Sequence, residues 1–346
     1  SLSDNDLATL TTDQVKAFTS TQLQSMTTSQ LSNLTTSQVS ALLTSQLAVL
    51  SSTQLNALTA EQFQSLTHNQ VSTLSTTALS SLSNSNLTEL TSGQIGVLTT
   101  DQIPSLLTSQ VAALTTDQIG GLTSAQLRSL TTAQLASLTT DQLPSLSSAQ
   151  VQAFTPTQVS LLSTTQLTSL TASEITAMSS AQIVAMNTTQ LSALESQQIQ
   201  ALETADIWNL NTSQVTALTT DQLSVMPNTL VPAIRPASIS ALSVTQLNNL
   251  TTGQYESLVT DQVAALSTSQ LSNITGSLLS ALTTDNVVAL SSTQIGAITA
   301  AQFPALGTLQ IMAIEHTDIP SITTGALAAF TSDQIAALTA CQVSNL

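Results

Sequence analysis

The amino-acid pattern points to an all-α solenoid of very short capped helices, one per eight-residue repeat. Three observations carry this reading. An apolar residue recurs every eight residues from Leu2 to Leu346, and a second apolar series, Leu7, Val15, Leu23, runs five residues behind Leu2, Leu10 and Phe18. A near-constant polar signature lies between them, so the unit reads Leu-Thr-Thr-x-Gln-(Val/Ile/Leu)-x-Ala, as at Leu114-Thr115-Thr116-Asp117-Gln118-Ile119. About 43 copies follow one another without insertion or deletion. Surface loops tolerate insertions, so their absence says that every copy stacks on its neighbours.

The helix start is written into each octad. In Leu10-Thr11-Thr12-Asp13-Gln14-Val15-Lys16-Ala17-Phe18, Thr11 is a good N-cap, because its hydroxyl can accept from a free backbone N–H of the next turn. Gln14, three residues on, can reach back to the cap's own N–H and complete a capping box. Leu10 and Val15 then occupy the two positions that a hydrophobic staple joins. Asp13 falls in the first turn, where the helix dipole favours negative charge. The same start recurs at Thr19, Thr27 and Thr35.

A helix that restarts every eight residues is short. Eight residues at about 100° each rotate the apolar pair by roughly 80° per repeat, so a continuous helix has no fixed stripe. A simple strand fails as well, because the apolar spacings alternate between three and five. Pro156 and Pro236 sit at the first helical position, where proline is tolerated. Pro104, Pro144, Pro232, Pro304 and Pro320 follow the second apolar residue, where proline deletes an i→i−4 bond. In those copies the turn must be very short. The alternative is a β-solenoid with an inward glutamine ladder.

The position before the first apolar series is usually small, as at Ala17, Ser25, Ala41, Ala57, Ser65, Ala113 and Gly121, which admits close backbone approach under either architecture. No linker or composition shift divides the chain, so residues 1–346 read as one continuous array with no internal boundary. Its degenerate stretch is 223–239, where Pro227, Pro232 and Pro236 cluster and Leu230 and Ser238 replace the usual glutamine. Solenoids normally carry polar terminal caps. The unprotected octads at each end lead us to expect flanking repeats or another copy of the chain, associating end to end or laterally.

Composition excludes several functions. The formal charge is −16, and only Lys16, Arg128 and Arg235 oppose the acids. Phosphate backbones and anionic membrane surfaces both call for clustered cations, so no nucleic-acid partner is expected. No apolar run approaches the roughly 18 to 20 residues that span a bilayer. There is no initiator Met and no signal-peptide pattern, which fits a segment of a longer protein or a mature product. Cys341, the single cysteine, reads as a small structural residue near an apolar position.

Chemistry is sparse. His68 and His316 lack partners at ligand spacing and read as surface histidines. Glu315-His316-Thr317-Asp318 gathers three ligand types, but adjacent side chains point different ways. Asp recurs at the octad position before Gln, at Asp13, Asp101, Asp117, Asp141, Asp221, Asp261 and Asp333, and before Asn286 at Asp285. A row of carboxylates suits calcium, yet the helix dipole explains them without a metal. No nucleophile elbow, phosphate loop or positioned base is present, so no catalytic, cofactor-binding or metal-ligating residue is assigned and no enzyme is expected. Trp208 and Tyr255 read as packing variants, and sequons such as Asn33-Leu34-Thr35 are expected by chance in so Thr-rich a chain.

The octads Leu-Thr-Thr-Asp-Gln-Val/Ile-x-Ala-Leu resemble the Thr/Gln-rich tandem octapeptide segments of very large secreted bacterial surface and adhesin-type proteins. The resemblance covers the whole chain and implies an extracellular or cell-surface structural or adhesive role. The leading expectation is a non-catalytic rod or filament. The alternative is a surface presenting the Thr pairs Thr11-Thr12, Thr35-Thr36 and Thr99-Thr100 to ice or a polysaccharide.

Overall fold

The computed structural model of the chain describes residues 4–346. Its backbone passes through 38 α-helices and five 3-10 helices of three to six residues each, and no strand occurs among the described residues. The all-α architecture therefore holds, and the β-solenoid alternative is set aside.

Helices this short are unstable alone, so caps and packing must hold them. Thr11 is the N-cap of the helix Thr12–Lys16, with extended φ −71 and ψ 158. Its hydroxyl accepts from the Gln14 backbone N–H at 3.3 Å, and Gln14 Oε1 accepts from the Thr11 N–H at 2.8 Å. The same box recurs at Thr19, Thr27 and Thr35. The turn closes when the next first-series residue donates to the second-series carbonyl three residues back, as Leu42 does to Val39 at 3.2 Å. Leu42 is already extended, with ψ 139, and the next helix starts at Thr44. Among the described residues no backbone enters the positive-φ region. The bends therefore need no glycine; they come from alternating helical and extended residues.

The two classes of proline behave as their positions require. Pro156 and Pro236 open the helices Pro156–Leu161 and Pro236–Ile239. The five later prolines coincide with the five 3-10 helices: Ile103–Ser105, Leu143–Ser145, Asn228–Ala233, Phe303–Ala305 and Ile319–Ser321. A proline there has no N–H to donate four residues back, while i→i−3 bonds survive. Ser105 donating to Gln102 at 3.1 Å is one.

The chain forms two compact units, one running to Met178 and the other Ser179–Leu346. In the first, Thr36–Ala41 packs on Ala60–Ser65 and Thr108–Ala113 on Thr132–Ser137, each pair three octads apart. Gln38 meanwhile reaches the carbonyls of Leu7 and Leu10, 31 and 28 residues earlier. A coil thus closes between three and four octads, after about 28 residues. The second unit repeats this: Thr284–Val288 packs on Thr308–Ala313, and Gln310 reaches Leu282, 28 residues back. Both apolar series form the core of each unit, the second series (Val15, Leu79, Leu127, Val263) being sealed from solvent.

Among the glycines, a neighbouring coil comes closest at Gly121, where a Cβ would lie 2.6 Å from the Ser92 carbonyl. The degenerate stretch 223–239 keeps its register, with Leu230, Val231, Ile234, Ser238 and Ile239 all buried.

Candidate functional site

The residue repeated most regularly among the polar ones is the octad glutamine, and it lies inside. Gln110 is completely buried. Its Oε1 accepts from the Leu107 N–H at 2.7 Å, and its Nε2 donates to the carbonyls of Leu79 and Leu82, both at 2.8 Å. Those carbonyls lie at the end of the helix Thr76–Ser81 of the preceding coil, where the last acceptors lack their full helical complement and Leu79 has only the Leu82 N–H besides. One glutamine therefore caps the start of its own helix and the end of another. Gln254 does the same in the second unit, accepting from Thr251 and donating to Leu223 and Met226, each at 2.7 Å. The pattern predicts the first of these two roles; the second joins coils and makes the ladder.

Departures from glutamine show what the position needs. Pro227 stands where the cap threonine normally is, has no N–H to offer, and is paired with Leu230. Where Asn86 and Leu278 replace glutamine, an asparagine 27 residues before the cap takes over. Asn56 Oδ1 accepts from Ser83 N–H at 2.8 Å, and Asn248 Oδ1 from Thr275 N–H at 3.0 Å. Glu174 fits less well. One carboxyl oxygen accepts from the Thr171 N–H and hydroxyl at 2.6 and 2.9 Å. The other, buried where an amide would donate, has no hydrogen-bond partner. The Tyr255 hydroxyl is similarly orphaned, and burial pushes its phenol pKa up.

The surface holds the remaining polar groups. Asp13, Asp101, Asp117, Asp141, Asp221, Asp261, Asp285 and Asp333 are all exposed. Among the described residues no three His, Cys, Asp or Glu side chains gather as a metal would require. His68 and His316 are exposed. In Glu315-His316-Thr317-Asp318 the first three face solvent, while Asp318 turns inward and accepts from the Ser292 hydroxyl. Glu61 is exposed, and its own backbone N–H, then the Thr59 hydroxyl, hold its carboxyl below the usual carboxylate range.

Two sequence expectations need correction, those for Cys341 and Trp208, while Tyr255 is the packing variant expected. Cys341 is exposed, because it takes the octad position just before the glutamine, two residues short of Val343, where Asp117 and Asp333 are exposed too. Trp208 is 53% exposed and is no core variant; it lies under the Arg235 guanidinium, 5.6 Å from the ring centroid. Tyr255 does take a second-series core position, but its hydroxyl goes in unpaired. The Trp208–Arg235 clasp spans a coil contact where Leu230 and Ser238 supply no glutamine amide, so a structural role accounts for it.

The grooves are shallow. One of about 550 Å³ in the second unit runs from Ser192 to Gln197 beside Thr219 and Asp221, with no base or nucleophile pair in it. The cap threonines are occupied: Thr35 and Thr99 each accept a backbone N–H at 3.2 Å, leaving Thr36 and Thr100 exposed. No helix of the described residues is long and apolar enough to cross a membrane.

No curated protein matches the chain. The ALTTAQ repeat model matches six times, at residues 95–124, 119–148, 173–204, 199–234, 279–308 and 311–346. Each match is close to one coil in length, and together they cover just over half of the sequence. The chain belongs to the ALTTAQ repeat family.

Proposed function

We propose that this repeat protein is structural and non-catalytic, and that it builds an extracellular rod or filament such as a stalk, a matrix fibre or a surface appendage. The observation that supports it is the ladder. The most regular polar residue is spent inside, joining each coil to the preceding one, as Gln110 and Gln254 do. A design of this kind extends by adding coils, with stability contributed by nearest neighbours. The Ser/Thr exterior supplies hydration and lateral hydrogen bonds, and further association is with flanking repeats or other copies. The extracellular setting rests on the resemblance to secreted bacterial surface repeats. Electron microscopy of the purified protein tests the proposal: elongated particles are expected, and compact globular ones contradict it.

A second reading, a binding surface for ice or an insoluble glycan, draws on the exposed hydroxyls of Thr36 and Thr100. Variation of that position to Ser and Ala, as at Ser52 and Ala60, weighs against it. Thermal hysteresis or retention on the glycan supports this reading, and their absence removes it.

A further inference from the structure

We propose that Glu174 makes one coil contact of the first unit proton-dependent: when its Oε1 takes up a proton, the resulting O–H donates to the Leu146 carbonyl and closes a ladder rung that the carboxylate leaves open. Glu174 stands in the ladder position and is only 4% exposed. Its Oε2 does the capping half of a glutamine's task, accepting from the Thr171 N–H and hydroxyl. Its Oε1 is buried and has no hydrogen-bond partner. Neighbouring rungs show what that oxygen faces. Gln142 donates to Val111 and Leu114, and Gln166 to Leu135 and Leu138, each 31 and 28 residues back and at 2.7–3.0 Å. The same register sets Glu174 Oε1 against the carbonyls of Leu143 and Leu146, both buried residues.

An amide answers two such carbonyls with two hydrogens, whereas a carboxylate adds a third acceptor. The acid form supplies one donor. Leu143 already accepts from the Leu146 N–H at 3.1 Å, so the new O–H goes to Leu146. Oxygens at the rung spacing share a hydrogen in an ordinary O–H···O bond of about 2.5–3.0 Å. A metal ion, about 2.3–2.6 Å from each oxygen, needs a space of its own between them. Within the unit, Ser148–Ala153, packed on Ala172–Ala177, and the turn Leu143–Ser145 carry no titratable side chain, and Asp141 just before that turn is exposed. Asp318 is also a buried acid in the ladder position, but the Ser292 hydroxyl answers it. The proton on Glu174 gains its carbonyl partner only in the folded chain, so lowering the pH strengthens this contact.

Glu174→Gln, which restores the usual ladder residue and supplies the amide at every pH, is the reference. Its thermal midpoint should exceed that of the parent at neutral pH. On acidification the gap should shrink by about half or more, since one of the two missing donors returns. Carboxylates elsewhere are common to both proteins and cancel. In NMR spectra of the parent, the Leu146 carbonyl carbon should shift in step with the Glu174 carboxyl carbon as the pH is lowered, and in Glu174→Gln it should stay in place. A gap that is missing at neutral pH, a gap that does not change with pH, or a Leu146 carbonyl indifferent to the Glu174 titration overturns the proposal. So does a gap closed at neutral pH by sodium, potassium or calcium chloride, which would make Oε1 a cation ligand instead.

Discussion

A ladder glutamine holds several backbone groups at once, and its replacement should be felt accordingly. Gln110→Ala strands the Leu107 N–H and the Leu82 carbonyl in a sealed interior and takes from the Leu79 carbonyl its second donor, leaving it only the Leu82 N–H. We expect a loss of about 3 kcal/mol, read as faster amide exchange confined to the coils it joins. Glu174→Gln should act oppositely, because it supplies an amide where an orphaned oxygen now sits; a gain of about 1 kcal/mol should appear as a raised thermal midpoint. Tyr255→Phe removes an unpaired buried hydroxyl and should stabilise by a similar amount. It should also change the alkaline limb. Burial raises the folded-state pKa of Tyr255, so the unfolded chain releases that proton first, from about pH 10. The native protein should therefore lose stability as pH rises past that point, and Tyr255→Phe should lessen the loss. Gln14 and Thr11 announce the capping half of the ladder in eight letters. The other half stays hidden there, because its partners lie 28 and 31 residues away and are found only once the coil size is known.

Each helix is a start signal followed almost at once by a stop. The start is legible in Thr-x-x-Gln, and the position of each proline foretells its effect. At the first helical position it leaves an α-helix, as in Pro156–Leu161; four residues later it leaves a 3-10 turn, as in Ile103–Ser105. Restoring the N–H with Pro104→Ala should convert that turn to α-helix, visible as new helical chemical shifts at Ile103 to Ser105. Packing between elements is less legible. Gly121 reads as one small residue among many, yet a Cβ there would collide with the Ser92 carbonyl at 2.6 Å. Gly121→Ala should cost about 1–3 kcal/mol, measured as a lowered thermal midpoint, whereas Gly325→Ala, with open space around it, should not destabilise. The clasps of Asn56 and Asn248 were hidden for the same reason as the ladder: each serves a cap 27 residues ahead.

Taken as a whole, the protein is held by stacked apolar series and backbone-directed hydrogen bonds, with little contribution from charge. The surface ion pair of Lys16 with Asp13, at 3.5 Å, is exposed, so Lys16→Ala should leave the thermal midpoint unchanged within error. The architecture was readable because the octad never slips; the size of the coil was not, since it follows from how Gly121, Gln110 and their neighbours meet across about 28 residues. The glutamine ladder is what joins one coil to the next. Hydrogen exchange of the glutamine side-chain amides, followed by NMR, tests it most directly. The Nε2 hydrogens of Gln110 and Gln254 should exchange far more slowly than those of Gln14 and Gln22, which make the same cap but are exposed. Equal, rapid exchange at all four would contradict it.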